Sequence, residues 1–151
     1  MLENASRKAR AAFEADRAPG SEVAVLGVDT IVAAGRRIYG KPPDRAGARA
    51  TLRELAGREH VVLSGLCLVR DGTAVTAAAR TAVRFRALSN AEVEAYLDTE
   101  EWRERAGGYA IQERGALLVS RIEGDYLNVV GLPVATLAEL APWLTMAAWA
   151  P

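Results

Sequence analysis

Two short segments of the chain place a charged residue beside features that shape ligand pockets. Asp29 follows the apolar run AVLGV, and Lys41 precedes two prolines that stiffen its loop. A carboxylate at the end of a buried strand can hold a divalent cation or take a proton from water, and a lysine on a stiff loop can hold a phosphate. Alternatively, Asp29 ends the strand and caps a turn, and Lys41 is a solvated loop residue.

Two further segments could contact a nucleotide. In RAGGYAIQERGA (105–116), Gly107 and Gly108 would let a ligand approach the backbone, and Gln112 offers both a hydrogen-bond donor and an acceptor, as reading a nucleobase requires. The alternative is a hairpin with a surface glutamine. In EGDYLNVVGLP (123–133), Asp125 and Asn128 precede a helix whose N-terminus could favour an anion, or they form an Asx turn.

The composition excludes several classes of function. The 151 residues include 19 Lys and Arg and 19 Asp and Glu, so no basic field exists for a nucleic acid polymer, whereas a small anion needs only a local positive pocket. The single Cys67 excludes an internal disulfide and indicates a cytoplasmic protein. His60, the only histidine, heads an apolar strand, and we interpret both residues as core. We expect no membrane span, because Pro133, Glu139 and Pro142 interrupt the apolar C-terminal region.

The elements that would position these residues mix helices and strands. Asp44 is a plausible N-cap, Ser89 and Glu92 have capping-box spacing, and Asp71-Gly72 favours a tight hairpin. The pattern predicts an α/β or α+β domain with a mixed central sheet, and we take α/β, with helices flanking the sheet, as the fold class. We predict helices over residues 3–17 (ended by Pro19-Gly20), 45–57 and 90–98, and a last helix that begins at a capping box formed by Thr136 and Glu139. We predict strands over residues 22–29, 60–70, 73–88, 107–112 and 116–126, and a turn with a short strand in 33–40.

Taken together and in order, the motifs resemble those of one family. The chain resembles the Maf proteins, nucleoside triphosphate pyrophosphatases of the septum-formation-inhibitor-like family. The similarity covers nearly the whole chain. It is carried by RKA (7–9), GVDTIV (27–32), GKP (40–42), LAGREHVVLSG (55–65), TAVRFRALS (81–89), AGGYAIQERGA (106–116) and IEGDYLNVVGLP (122–133).

The resemblance implies a fold, a reaction and a set of site residues. The fold would be a two-lobed α/β structure around a cleft, like that of Maf and inosine triphosphatase proteins. The reaction would convert dTTP, UTP or related and modified nucleotides to the monophosphate and pyrophosphate, with Mg²⁺ or Mn²⁺. Asp29 would be the proton acceptor and a metal ligand. Lys8 and Lys41 would bind phosphates, and Thr30 and Gln112 mark the dTTP/UTP-type branch.

The sequence also differs from the family pattern. Family members begin with a strand and a Ser-x-Ser-Pro-Arg-Arg loop that holds phosphates. Neither is present, so we expect one Maf-like domain over residues 1–151 that is shortened at its N-terminus. Arg105 replaces a usual Lys, Ser64 a usual Thr and Glu113 a usual Gly, and we expect Glu113 to point outward. The sequence leaves the oligomeric state open, with a homodimer, the commonest soluble assembly, as the candidate. The alternative function is a non-catalytic nucleotide-binding or interaction remnant of the fold.

Overall fold

A computed structural model describes residues 1–15 and 23–149 of the chain. The predicted helix end at residues 16 and 17 and the Pro19-Gly20 stop lie outside the described residues. The helices are α1 (Leu2–Ala15), α2 (Arg45–Leu55), α3 (Asn90–Asp98), α4 (Tyr126–Val130), α5 (Val134–Leu140) and α6 (Pro142–Ala148). The strands are β1 (Ala24–Ala34), β2 (Arg37–Tyr39), β3 (Glu59–Arg70), β4 (Thr73–Phe85) and β5 (Val119–Glu123).

The five strands form one sheet in the order β2-β1-β3-β4-β5. Helices pack on this sheet, so the predicted α/β class is confirmed. The sheet was expected to be mixed, but all four strand pairings in the described residues are antiparallel. Two of these pairings, β1–β2 and β3–β4, are hairpins closed by two-residue turns, and such a short connection can only join antiparallel strands.

The hairpin between β3 and β4 follows the sequence closely. Asp71 and Gly72 both have positive φ, 50° and 77°, the combination that a type I′ turn requires and that Asp-Gly favours. Cα pairing then runs without interruption from Arg70↔Thr73 to Glu59↔Arg84. The predicted hairpin is therefore confirmed, and it provides the longest strands of the sheet.

Helices α2 and α3 begin at the predicted caps. The Asp44 carboxylate accepts a hydrogen bond from the backbone nitrogen of Gly47 at 2.7 Å. Ser89 and Glu92 form a reciprocal capping box, in which each side chain accepts from the backbone of the other residue. Each cap supplies partners for backbone N–H groups that the first helical turn leaves free.

The two faces of the sheet carry separate apolar clusters. On one face, α1 packs through Ala5 and Ala9 against Cys67 and Val69. On the other face, α2, α3 and the segment 102–118 cover a larger core that includes Val32 of β1, Val62 of β3, and Val83 and Phe85 of β4. The predicted stripe of α2 is buried there, and it consists of Ala48, Leu52 and Leu55. Helices on both faces of a sheet are the layering of an α/β domain.

Two predictions about the C-terminal third are wrong in detail. The predicted capping box at Thr136 does not form, because α5 already begins at Val134, with Pro133 as its N-cap. The backbone nitrogen of Leu137 donates to the Pro133 carbonyl at 3.0 Å, which places Thr136 inside the first turn. Strand β5 is shorter than predicted, because residues 114–118 form a 3₁₀ turn before it. In the described residues, no helix combines the length and the apolar character needed to cross a bilayer.

His60 and Cys67 are core residues, as interpreted from the sequence. Cys67 is fully buried under α1. His60 is 1% exposed, and its Nε2 lies 2.9 Å from the hydroxyl oxygen of Tyr109. The imidazole also packs edge-on against Phe85. Burial lowers the pKa of His60 to about 4, from an ordinary value of 6.5.

The buried histidine makes fold stability depend on pH. Between pH 6.5 and about 4 the unfolded chain binds a proton that the folded chain excludes, so stability falls on acidification. We expect the free energy of unfolding to drop by about 2 to 3 kcal/mol between pH 7 and 4.5. Denaturant titrations at several pH values measure this slope.

The substitution His60→Gln provides the control, because glutamine does not titrate. Hydrogen bonds from Ser89 to Glu92 and from Arg49 to Glu94 lower the pKa values of these two carboxyl groups to about 2. Their stabilising effect is therefore lost at lower pH than that of His60. The variant should therefore be nearly flat between pH 7 and about 5.5, where the parent protein already loses stability through His60, and only the smaller slope of the carboxylates should remain below that. An equal slope in both proteins would contradict the assignment to His60.

Candidate active site

Helix α1 lies very close to the sheet, because two glycines leave room for its backbone. A methyl group at Gly27 would lie 2.2 Å from the carbonyl oxygen of Ala5, and one at Gly65 would lie 2.9 Å from the backbone nitrogen of Leu2. Ala5 and Ala9 are fully buried at this contact. Direct backbone contact therefore sets the height of α1 above β1 and β3.

This docking brings Lys8 of α1 to Asp29 of β1. The Lys8 ammonium donates to Asp29 Oδ1 at 2.8 Å and to the Val28 carbonyl at 3.2 Å, while Asn4 donates to Asp29 Oδ2 at 3.2 Å. Burial raises the pKa of the Asp29 carboxyl, but the hydrogen bonds from Lys8 and Asn4 and the charge of Lys8 outweigh it, so the pKa is lowered. Asp29 is thus a carboxylate at neutral pH, with 16% of its side chain exposed.

Asp29 does not end its strand, which corrects the predicted boundary. Strand β1 continues to Ala34, because its pairing with β3 continues to Ala33↔Val61. Side chains alternate along a strand, so Asp29 and Thr30 leave opposite faces of the sheet. Strand β2 pairs only with Val32–Ala34, and within the described residues no strand pairs with the outer edge of β1 beside Asp29 and Thr30.

Thr30 forms a hydrogen bond with Ser64, a residue that the sequence alone does not assign to the site. Its hydroxyl oxygen lies 2.8 Å from that of Ser64, which is fully buried and directly opposite in the β1–β3 register. This hydrogen bond restricts the rotation of the Thr30 hydroxyl. From the sequence, Ser64 was noted only as a difference from the family pattern. The strand register is the signal that assigns it to the site.

The loops that carry Lys41 and Arg105 are held together across the site. The backbone nitrogen of Gly107 donates to the Gly40 carbonyl at 3.1 Å. Lys41 forms an ion pair with Glu104, with 2.8 Å between Nζ and Oε2. The two loops therefore form one continuous wall, although about 64 residues separate Gly40 from Glu104 in the chain.

The predicted strand over residues 107–112 is wrong. Gly107 and Gly108 have φ values of 73° and 70° and belong to a 3₁₀ turn, and two successive left-handed residues are not the extended backbone of a strand. The following backbone is held by the Tyr96 hydroxyl, which accepts from the Ala110 nitrogen at 3.0 Å. Gln112 then lies in a turn, exposed to solvent.

All five predicted site residues line a single cavity of about 220 Å³. They enter from four parts of the chain: Lys8 from α1, Asp29 and Thr30 from β1, Lys41 from the loop after β2, and Gln112 from the loop before β5. The structure adds Glu104, Arg105, apolar side chains and the end of α4 to this lining. The apolar lining residues include Val32, Val62, Tyr109, Ile111, Val129 and Val130.

Asp125 and Asn128 are placed outside this lining, which favours the Asx-turn interpretation. The Asp125 carboxylate accepts from the backbone nitrogen of Leu127 at 2.8 Å. Asn128 is fully buried and donates to the Val62 carbonyl at 3.1 Å and to the Thr81 hydroxyl at 3.0 Å. Both residues shape α4, whose C-terminal end reaches the cavity.

Glu113 is exposed, as expected.

The amino-acid sequence of the chain matches the model of a known protein family. The model of the family described as "Maf-like protein" matches residues 1–142. The chain belongs to the Maf-like family. The recognition made from the motifs is thereby confirmed.

Curated members of the family have closely similar sequences. The chain is 46% identical over 116 residues to a protein of Pyrococcus furiosus named dTTP/UTP pyrophosphatase, covering 77% of this chain and 61% of that protein. Proteins of the same name from Latilactobacillus sakei and Symbiobacterium thermophilum are 46% and 48% identical, over 77% and 86% of this chain and 64% and 65% of theirs. The chain thus spans less than two thirds of the length of these relatives.

The Maf-like cavity can be tested for its fit to a divalent cation. A magnesium ion bound to a nucleotide takes one or two protein carboxylates and fills its other positions with phosphate oxygens and water. In residues 1–15 and 23–149, no three His, Cys, Asp or Glu side chains are grouped to hold a metal by themselves. Asp29 offers one partly exposed carboxylate inside the cavity. This donor set fits a cation that arrives with phosphate oxygens.

Replacing Gly27 should disturb the docking of α1. In Gly27→Ala the new methyl group meets backbone rather than a movable side chain, so α1 must shift. We expect the free energy of unfolding to fall by about 2 to 3 kcal/mol. Chemical denaturation measures the loss.

Gly40→Ala is the matched control for the ordinary effect of replacing a glycine. A methyl group at Gly40 would have no heavy atom within 4 Å, and Gly40 has no positive φ. Its stability should stay within about 0.5 kcal/mol of the parent protein. Equal stability of the two variants would contradict the close docking of α1.

Proposed function

We propose that the chain is a nucleoside triphosphate pyrophosphatase that acts on dTTP and UTP. One observation carries this proposal: Lys8, Asp29, Thr30, Lys41 and Gln112 line one cavity in a chain whose relatives are named dTTP/UTP pyrophosphatases. The products would be the nucleoside monophosphate and pyrophosphate.

The cationic residues of the cavity suit a triphosphate. Lys8, Lys41 and Arg105 line it, and each can donate to phosphate oxygens. Arg105 has no ion-pair partner among the described residues, so its guanidinium is available to a ligand without breaking a salt bridge. Phosphoryl transfer depends mainly on positioning and on neutralising charge around phosphorus, which these side chains supply.

Asp29 would serve as the proton acceptor. A water molecule attacks the α-phosphorus and gives its proton to the Asp29 carboxylate, the bond from the α-phosphorus to the bridging oxygen breaks, and pyrophosphate leaves. In the empty site the Asp29 carboxylate already shares its charge with Lys8. When Lys8 turns to a phosphate, Asp29 Oδ1 loses this partner and becomes free to accept the proton of the attacking water.

A bound Mg²⁺ or Mn²⁺ would neutralise phosphate charge and lower the barrier to attack. Asp29 is the residue that would hold it, together with phosphate oxygens. Thr30 and Gln112 would contact the base: the glutamine amide can match the donor and acceptor groups of a uracil or thymine edge. The Ser64 hydroxyl would orient Thr30 for this contact.

We also propose a cytoplasmic location and a homodimer. The location is supported by Cys67, a free buried thiol that suits a reducing compartment. The homodimer is supported only by the general prevalence of twofold assemblies.

Release of pyrophosphate from dTTP and UTP with Mg²⁺ or Mn²⁺ tests the function. We expect turnover, with lower rates for purine nucleotides, and a fall of about 100-fold or more in kcat/KM for Asp29→Asn. Asp71→Asn is the matched control, because it makes the same chemical change in the β3–β4 turn and should leave the rate unchanged. Nucleotide binding without pyrophosphate release in the parent protein would contradict the proposal and support a non-catalytic binding protein.

A further inference from the structure

The mouth of the cavity contains a carboxylate that the proposed reaction does not use. Glu104 lines the cavity together with Lys41, and its Oε2 lies 2.8 Å from the Lys41 ammonium. The two side chains are 83% and 60% exposed, so the ion pair faces solvent at the entrance. Lys41 is one of the cations assigned to the phosphates. Glu104 therefore occupies a position where a phosphate oxygen would bind.

The backbone holds Glu104 opposite Lys41. Glu104 has a φ of 57°, a left-handed geometry that non-glycine residues adopt at some cost. The loop of Lys41 is fixed to the same segment by the hydrogen bond from Gly107 to Gly40, at 3.1 Å. A methyl group at Gly108 would lie 3.1 Å from the Pro42 ring, which shows how closely the two loops pack. The ion pair is thus built by the fold of both loops.

The charges of the cavity form two internal pairs. Lys8 is paired with Asp29, and Lys41 is paired with Glu104. A triphosphate that enters must compete with both carboxylates for these two ammonium groups. Asp29 has an assigned role in the reaction, whereas Glu104 has none. Its effect on a bound phosphate chain is repulsion and competition for Lys41.

We propose that Glu104 is an internal competitor for phosphate: it holds Lys41 in the empty site, is displaced when the phosphates bind, and recaptures Lys41 when pyrophosphate leaves. This inference rests on the proposed function for the identity of the ligand. Glu104 is a positioning residue that acts through Lys41, and its presence weakens the binding of triphosphate and pyrophosphate alike.

Binding of inorganic pyrophosphate and inorganic triphosphate, with Mg²⁺, to the full chain tests the inference by calorimetry. Glu104→Gln keeps the side-chain shape and removes the charge. We expect it to tighten binding by about two- to fivefold, the range for loss of an exposed ion pair with Lys41, because direct repulsion between solvent-exposed charges is screened and adds little. In the Lys41→Ala background, the same substitution should change affinity by less than twofold.

Two controls test whether the effect is specific to Glu104 and whether each variant is folded. Glu113→Gln removes an exposed carboxylate from the same segment and should leave affinity unchanged, which excludes a general charge effect. Thermal unfolding of each variant checks that the fold is retained. Unchanged or weaker binding by Glu104→Gln, a gain that persists without Lys41, or no binding by either protein would each overturn the inference.

The outcome is separable from that of the proposed function, because binding of an inorganic anion does not require turnover. If dTTP is not hydrolysed but Glu104→Gln still tightens pyrophosphate binding through Lys41, only the proposed function fails. If dTTP is hydrolysed, Glu104→Gln should lower KM and, where product release limits the rate, kcat as well. Turnover with an unchanged KM would overturn the role of Glu104 alone.

Discussion

The close approach of α1 to the sheet is the contact on which the rest of the site depends. Gly27 and Gly65 have no side chains to hold the helix away: Gly27 lies against Ala5 and Ala9, and Gly65 lies against the backbone of Met1 and Leu2. Only at this distance does Lys8 reach Asp29 and the carbonyl beneath it. The close packing of the two backbones therefore has an electrostatic consequence: it places the Lys8 ammonium in the cavity, where its hydrogen bond helps to lower the pKa of Asp29.

The opposite wall of the cavity consists of two loops, which carry Lys41 and Arg105 and are joined by the hydrogen bond from the Gly107 nitrogen to the Gly40 carbonyl. The left-handed Gly107 and Gly108 bend the chain so that its backbone meets the loop of Lys41. Lys8 and Lys41 are paired with carboxylates and Arg105 is not, so the three cationic and two acidic side chains leave the empty cavity with a net charge of +1. Binding an anion therefore means exchanging one set of ion pairs for another, which lowers affinity but keeps the exchange reversible.

Much of the fold could be predicted from local sequence, because the signals were local. The Asp71-Gly72 turn and the caps at Asp44 and Ser89 act within a few residues, and each is confirmed. The failures lie where distant contacts decide the backbone. Residues 107–112 alternate like a strand, but contacts with residues far away in the chain hold them as a turn, and Asp29 sits inside a strand that its partner β3 extends.

The candidate active site also combines residues that sequence motifs predict with residues that only the folded structure assigns. The positions of Lys8, Asp29, Thr30, Lys41 and Gln112 were inferred from motifs shared with a family, and the structure brings all five to one cavity. Ser64 and Glu104 could not be assigned from sequence, since one acts through strand register and the other through an ion pair across 63 residues. Their partners are visible only once the chain is folded.

If the proposed function is right, a pyrimidine nucleoside triphosphate binds in this cavity. Mapping backbone amide chemical shifts of the isotopically labelled chain during titration with α,β-imido-dUTP and Mg²⁺ tests it directly, because the analogue cannot be cleaved at the α-phosphorus. We expect the largest changes around Lys8, Asp29–Thr30, Lys41 and residues 105–112. Changes centred instead on the separate groove between α3 and the 3₁₀ turn before β5, lined by Arg86, Tyr96 and Leu117, would contradict it.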